Sequence, residues 1–159
     1  SKLKWPIGLS GKDLDSIARY HLWQDNLDYE HGTGHGVGSF LSVHEGPQAI
    51  SRRNEVELKP GMILSNEPGF YSVNSHGIRI ENLLLVKEPK KLSKEESFSM
   101  LSFETLTYCP FDKNLILQEL LNVEETKWIN IYHQQIINRY ERKLPDDQKS
   151  WLKNVCSPI

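Results

Sequence analysis

Cysteine is scarce in this chain of 159 residues. The two that occur, Cys109 and Cys156, make no CxxC pair or other metal-binding spacing, which speaks against a disulfide framework and a thiolate zinc site. Both are expected to act as small buried or half-buried apolar side chains. No apolar run approaches the roughly 20 residues that a membrane-spanning helix requires, and no membrane partner is expected. An excess of one charge sign is missing too. Nineteen Lys and Arg face 21 Asp and Glu, a net charge of -2, so no broad basic field exists to collect nucleic acid. Selectivity must therefore be local. Neither an initiator Met nor the apolar core of a signal peptide stands in Ser1–Ser10, and the chain is expected to be a piece of a longer protein.

What is present reads as alternating helical and extended pattern. Ser10 with Asp13 forms a capping box, and Leu14, Ile17, Ala18 and Leu22 share one face, which predicts an amphipathic helix from Lys12 to about Leu27. From His31 to Ser39 the period changes to two, with Gly32, Gly34, Gly36 and Gly38 alternating with His31, Thr33, His35 and Val37. Glycine weakens a strand, so four in alternation imply that a neighbouring segment or a ligand approaches this backbone closely.

Further extended stretches are predicted at Phe40–Glu45, Met62–Asn66, Gly77–Val86 and Phe103–Tyr108, separated by turn residues. In the third, Arg79, Glu81, Leu83 and Leu85 share a face. The charged segment from Lys87 to Ser97 is expected to be a solvated excursion. Helical spacing returns from about Val123 to Leu144, with Trp128, Tyr132, Ile136 and Tyr140 four apart as a packing stripe, and a short last helix follows at Gln148–Val155.

Candidate chemistry is concentrated. His31, His35 and His44 lie within fourteen residues, and Glu67 and Glu81 occupy strand contexts where a carboxylate is costly unless paired or coordinated. Each alone has a structural explanation, a hydrogen-bonded histidine or an Arg79–Glu81 ion pair. Together, an imidazole and two carboxylates from neighbouring strands make a hard donor set suited to manganese, iron, cobalt or zinc.

Three ordered motifs carry a resemblance. They are His31-Gly-Thr-Gly-His35 running on to His44-Glu-Gly-Pro47, Pro60-Gly-Met-Ile-Leu-Ser-Asn-Glu67-Pro-Gly-Phe-Tyr71, and Gly77-Ile-Arg-Ile-Glu81-Asn. The chain resembles the second half of the catalytic domain of aminopeptidase P, the Xaa-Pro aminopeptidases of the pita-bread metallopeptidase family. The likeness runs on through Ser102–Thr107 and Trp128–His133 into a C-terminal extension like that of the long, cytosolic-type members.

The resemblance implies an α+β fold: the second half of a pita-bread (creatinase/aminopeptidase) domain at residues 1–110, with a curved, mostly antiparallel sheet, and a helical extension at 111–159. It implies a metal-dependent hydrolase that removes the first residue from peptides with proline in second position. In that reading His35 and Glu67 are metal ligands and Glu81 bridges two divalent ions. His44 assists proton transfer, His31 lines the substrate pocket, and Arg79 orients ligand carboxylates. Manganese is the first choice, with zinc, cobalt or iron as alternatives. Such chemistry suits an Xaa-Pro bond, whose tertiary amide has no N–H for the strand-like contacts other proteases make.

The family's two aspartate ligands have no matching strand motif here. Asp13, Asp15, Asp25, Asp28 and Glu30 flank or lie in the predicted helix. Two carboxylates cannot neutralise two divalent ions, so this chain alone is expected to hold at most one metal weakly and to be inactive. Its expected partners are the peptide substrate, the missing N-terminal half and further copies of itself, as a cytoplasmic dimer. Two alternatives belong beside this: a pita-bread module that binds proteins without catalysis, and a prolidase-like dipeptidase. The nine-residue interval from His35 to His44 and the long extension favour aminopeptidase P over prolidase and methionine aminopeptidase.

Overall fold

Ser10 begins the first helix as its N-cap. Its backbone N–H and its hydroxyl both donate to one oxygen of Asp13, at 2.7 and 2.8 Å, so the capping box forms where the sequence places it. The structure is a computed structural model that describes residues 2–40, 42–88 and 99–159. Its elements fall into two units, Ser1–Thr107 and Tyr108–Ile159.

Helix α1 spans Gly11–Gln24 and stops earlier than expected because Asn26 adopts a left-handed conformation at φ 57°. Asn26 N–H then reaches Trp23 O at 3.2 Å and Leu27 N–H reaches Leu22 O at 2.9 Å, a Schellman termination. The buried face of α1 also differs from the apolar one predicted. Leu14 is buried, but Ile17 is half exposed, and the fully enclosed neighbours of Leu14 are the charged Asp15 and Arg19.

The first unit is built on antiparallel strands. Strand β1 (Lys4–Pro6) was not foreseen. It is an edge strand, where a proline costs no ladder bond, and Trp5 enters the core against Phe103. Next come β2 (Gly34–His35), β3 (Ala49–Ile50), β4 (Ile63–Asn66), β5 (Gly69–Ser72), β6 (His76–Arg79), β7 (Asn82–Lys87) and β8 (Met100–Thr105). The main sheet has the order β1-β8-β7-β4, and its covered face packs Trp5, Leu64, Val86 and Leu101 with Leu14, Ile50 and Leu58.

Four extended predictions are corrected. The period-two run from His31 to Ser39 is regular strand only at β2, followed by a bridge from Gly36 to Leu64. Phe40–Glu45 is not a strand: Gly38 N–H bonds Ser42 O and Glu45 N–H bonds Gly36 O, which curls the segment into a loop with Phe40 in solvent. Gly77–Val86 is two strands, because Pro68 on the partner chain segment lacks an N–H and interrupts the ladder. Strand β5, also unforeseen, supplies the partner for β6. The last strand runs from Met100 to Thr105, three residues earlier than predicted. Of the charged excursion, Lys87 belongs to β7, and residues 89–98 lie outside the described residues.

The close approach implied by the glycines is real. A Cβ on Gly34 would lie 2.0 Å from the Ser65 carbonyl oxygen, and one on Gly36 2.1 Å from that of Glu45.

The second unit pairs α2 (Val123–Tyr140) with α3 (Asp146–Val155). Its core holds Tyr132, Ile136, Leu152 and Cys156, with Tyr140 and Phe111 packed against them, so most of the aromatic stripe is packing as read. Cys109 is a correction. Its backbone N–H is held by the Tyr132 hydroxyl at 3.1 Å while its thiol stays exposed.

His133 is fully enclosed in this unit, with Nε2 accepting the Phe111 N–H at 3.1 Å. Its Nδ1, which must then carry the proton, has no partner among the described residues. Burial, and secondarily the charge of Lys113, hold its pKa below the ordinary 6.5. A depressed pKa contributes stability that is complete above 6.5 and is lost as pH falls towards the folded value, because only the unfolded chain takes up the proton. Stability is therefore expected to fall by up to about 1.4 kcal/mol per pH unit below pH 6.5. Urea unfolding followed by the helical signal at pH 7 and 5.5 measures it. A His133→Gln variant should flatten the trend, and an unchanged slope would contradict this assignment.

Candidate metal centre

The expected site residues are brought together by register. Strands β5 and β6 pair Gly69 with Arg79, while β4 and β7 pair Asn66 with Asn82. Both pairings belong to one continuous antiparallel register, which sets Glu67 directly opposite Glu81 across the break and Pro68 opposite Ile80. On the other side of β4, Glu67 N–H bonds Thr33 O at 2.7 Å, Val37 N–H bonds Ile63 O at 3.3 Å, and Gly36 bridges Leu64. His35 therefore lies opposite Ser65 and diagonal to Glu67, within reach of a long side chain.

The side chains use that placement. His35 Nδ1 sits 3.0 Å from the Gly36 carbonyl and donates to it, which turns Nε2 towards Glu67 Oε1 at 3.2 Å. A lone pair and a carboxylate oxygen at that distance repel unless a proton or a cation lies between them. Glu67 and Glu81, opposed in register, add a like-charged juxtaposition that is unfavourable in a bare sheet. The His35–Glu67 pair thus offers two donors to a divalent cation. His35 and Glu67 are in contact; Glu81 is exposed, and among the described residues no three His, Cys, Asp or Glu side chains gather closely enough to hold an ion.

Around this pair, Arg79 Nη1 lies 3.5 Å from Glu67 Oε2. Its contact is thus with Glu67. The ion pair with Glu81 considered from the sequence does not form, although the charge of Glu81 acts on the guanidinium. The Tyr71 hydroxyl above all, and the charges of Glu67 and Glu81, raise the pKa of Arg79. Tyr71, which no sequence motif singled out as chemical, accepts from Arg79 Nε at 2.8 Å and meets His31 Nε2 at 2.8 Å. The ring of His44, on the loop that follows β2, lies over that of His35 with centroids 4.1 Å apart.

A buried polar network was also missed. Arg19 donates to Asp15 at 2.8 Å, to Asp28 at 2.6 Å, and to the carbonyls of Tyr29 and His31, each at 2.7 Å, with its guanidinium over the Tyr29 ring. The Thr33 hydroxyl donates to Asp15 at 2.6 Å. Burial opposes the charge of Asp28, but bonds from Trp23 and Arg19 overcome it and hold this carboxyl far below the usual range. Asp15 and Asp28 are thus committed to Arg19. The network holds the carbonyls of Tyr29 and His31 and the side chain of Thr33. The only sequence signal was the four-residue spacing of Asp15 and Arg19 on a helix.

The histidine and the two opposed carboxylates on antiparallel strands lie where the sequence resemblance to a pita-bread metallopeptidase half-domain puts them. Comparison with solved structures agrees. X-prolyl aminopeptidase from Caenorhabditis elegans, described as a cytosolic enzyme with a di-nuclear active site, is 38% identical with a TM-score of 0.86, covering 99% of this chain and 26% of that one. X-Pro aminopeptidase from Thermotoga maritima is 37% identical with a TM-score of 0.52, over 66% of this chain and 26% of that one. Residues 1–88 match metallopeptidase family M24 and residues 99–159 match the C-terminal region of peptidase M24; the chain belongs to this family. The probable Xaa-Pro aminopeptidase P of Coprinopsis cinerea is 48% identical over 98% of this chain and 26% of its own length. That of Laccaria bicolor is 46% identical over 98% and 25%. The chain spans about a quarter of these relatives.

Replacing Arg19 by Leu strands Asp15 without a cation in a site closed to water. The expected cost is about 3–5 kcal/mol in urea unfolding, and the double variant Arg19→Leu/Asp15→Leu should recover part of it. A cost below about 1 kcal/mol would show that the pair carries no structural role.

Proposed function

We propose that this chain supplies the carboxy-terminal half of a dinuclear Xaa-Pro aminopeptidase site. One observation carries the reading: the meeting of His35 Nε2 with Glu67 at 3.2 Å, with Glu81 opposed across the hairpin, inside the stretch that matches the M24 family. Likeness to the C. elegans X-prolyl aminopeptidase over 99% of the chain supports that activity over a prolidase-like one.

In this reading His35, Glu67 and Glu81 hold the cations. Two divalent ions, manganese first, would lower the pKa of a water molecule and offset the charge that develops on the scissile carbonyl oxygen. The remaining work falls to this chain's side chains. Arg79 keeps Glu67 aimed through its 3.5 Å contact. His44, whose ring is tilted against that of His35 at a centroid distance of 4.1 Å, would donate a proton to that oxygen. His31 lines the substrate pocket, its ring fixed between the Gly32 carbonyl and Tyr71.

Residues 1–110 form the catalytic half and 111–159 the extension, in a cytoplasmic enzyme that self-associates and acts on peptides with proline in second position. The two aspartates required to complete the site come from the part of the relatives' length that this chain does not span.

The 159-residue chain alone is expected to release no first residue from an Xaa-Pro peptide in manganese, and to gain activity when the remaining length is supplied in trans. Turnover by the isolated chain would contradict the proposal. In the full-length enzyme, His35→Ala should abolish both manganese binding at this site and cleavage. Retention of both would remove His35 from the ligand set.

A further inference from the structure

Ser65 is wholly buried in β4, yet it is polar and uses its hydroxyl on both sides. Its Oγ accepts the backbone N–H of His35 at 2.9 Å and donates to Glu67 Oε1 at 2.9 Å. Two consequences follow from the register. At the position facing His35, the ladder bond goes to a side-chain oxygen in place of the Ser65 carbonyl. The same oxygen then reaches the carboxylate two residues further along β4. One hydroxyl thus ties the backbone of the imidazole donor to the side chain of the carboxylate donor, and no other side chain is hydrogen-bonded to both residues among those described.

We infer that Ser65 is a positioning residue for the metal centre. This rests on the assignment of His35 and Glu67 as ligands. A hydroxyl has one hydrogen, so with that hydrogen on Glu67 its lone pairs are free for the His35 N–H, and the two bonds orient each other. Glu67 is then held at both oxygens, Oε1 by Ser65 and Oε2 by Arg79 at 3.5 Å. An alanine here leaves the His35 N–H without its acceptor and frees the Glu67 carboxylate to rotate about its terminal torsion, which is broad in the absence of a partner. Outer partners of metal ligands of this kind change affinity by roughly 10–100-fold when removed.

The test uses the full-length enzyme stripped of metal and titrated with Mn2+ by calorimetry. Wild type, Ser65→Ala, Ser65→Thr and His35→Ala are compared, each with its metal-free thermal midpoint. The expected result is a 10–100-fold weaker Mn2+ affinity for Ser65→Ala, with Ser65→Thr close to wild type because it keeps the hydroxyl. A purely structural serine would lower the metal-free midpoint and leave the affinity of the folded protein within about twofold, which overturns the inference. If Ser65→Ala does not fold, Ser65→Cys, which keeps the shape but bonds only weakly, decides: a roughly tenfold weaker Mn2+ affinity in the folded variant upholds the role, and an affinity within about twofold of wild type overturns it. Should His35→Ala bind Mn2+ as wild type does, the ligand assignment itself fails, an outcome separate from a failure confined to Ser65.

Discussion

A single antiparallel register, running through the segment around β2, then β4–β5, then β6–β7, is the constraint on which the site depends. It sets Glu67 against Glu81 and His35 against Ser65 without any long-range coincidence of loops. A slip by one residue in either pairing would turn these side chains to the opposite face, into the layer of Leu64, Leu84 and Val86. The apolar face therefore protects the polar one: the cost of exposing three buried aliphatic side chains keeps the donors aligned. The same register places like charges opposite one another, a local cost to folding that a divalent cation would reverse.

Much of this was legible in the residues themselves. The motif positions His31, His35, His44, Glu67, Arg79 and Glu81 carry a family pattern, and the alternating glycines announced a backbone crowded by Ser65 and Glu45. The parity of Arg79, Glu81 and Leu83 also survives, because the break at Pro68 removes a hydrogen bond without shifting the pairing. What escaped was set by tertiary context. Strand β1 contains a proline and is only three residues long, so nothing local marks it; Trp5 finds its place only against Phe103. Strand β5 looks like part of a turn until β6 pairs with it.

The polar interior of α1 was the largest surprise. Asp15 and Arg19 are not among the residues of the predicted apolar face yet are enclosed, whereas Ile17, which is, stands half exposed. Hydrophobic periodicity cannot detect a face that buries a salt bridge, since such a face is apolar only after its charges have cancelled. Tyr71 and Ser65 escaped for a related reason. Neither residue type is a metal donor of choice, and their contacts with His31, Arg79, His35 and Glu67 depend on cross-strand neighbours that lie far away in sequence.

The Arg19 network orders part of the chain ahead of any ion. Four hydrogen bonds from one enclosed guanidinium lock the segment from Tyr29 to His31 to a helix, independently of any ion. The conformational entropy of that segment is surrendered when the chain folds, not when an ion arrives. An ion bound beyond it would therefore not have to order Tyr29–His31 itself.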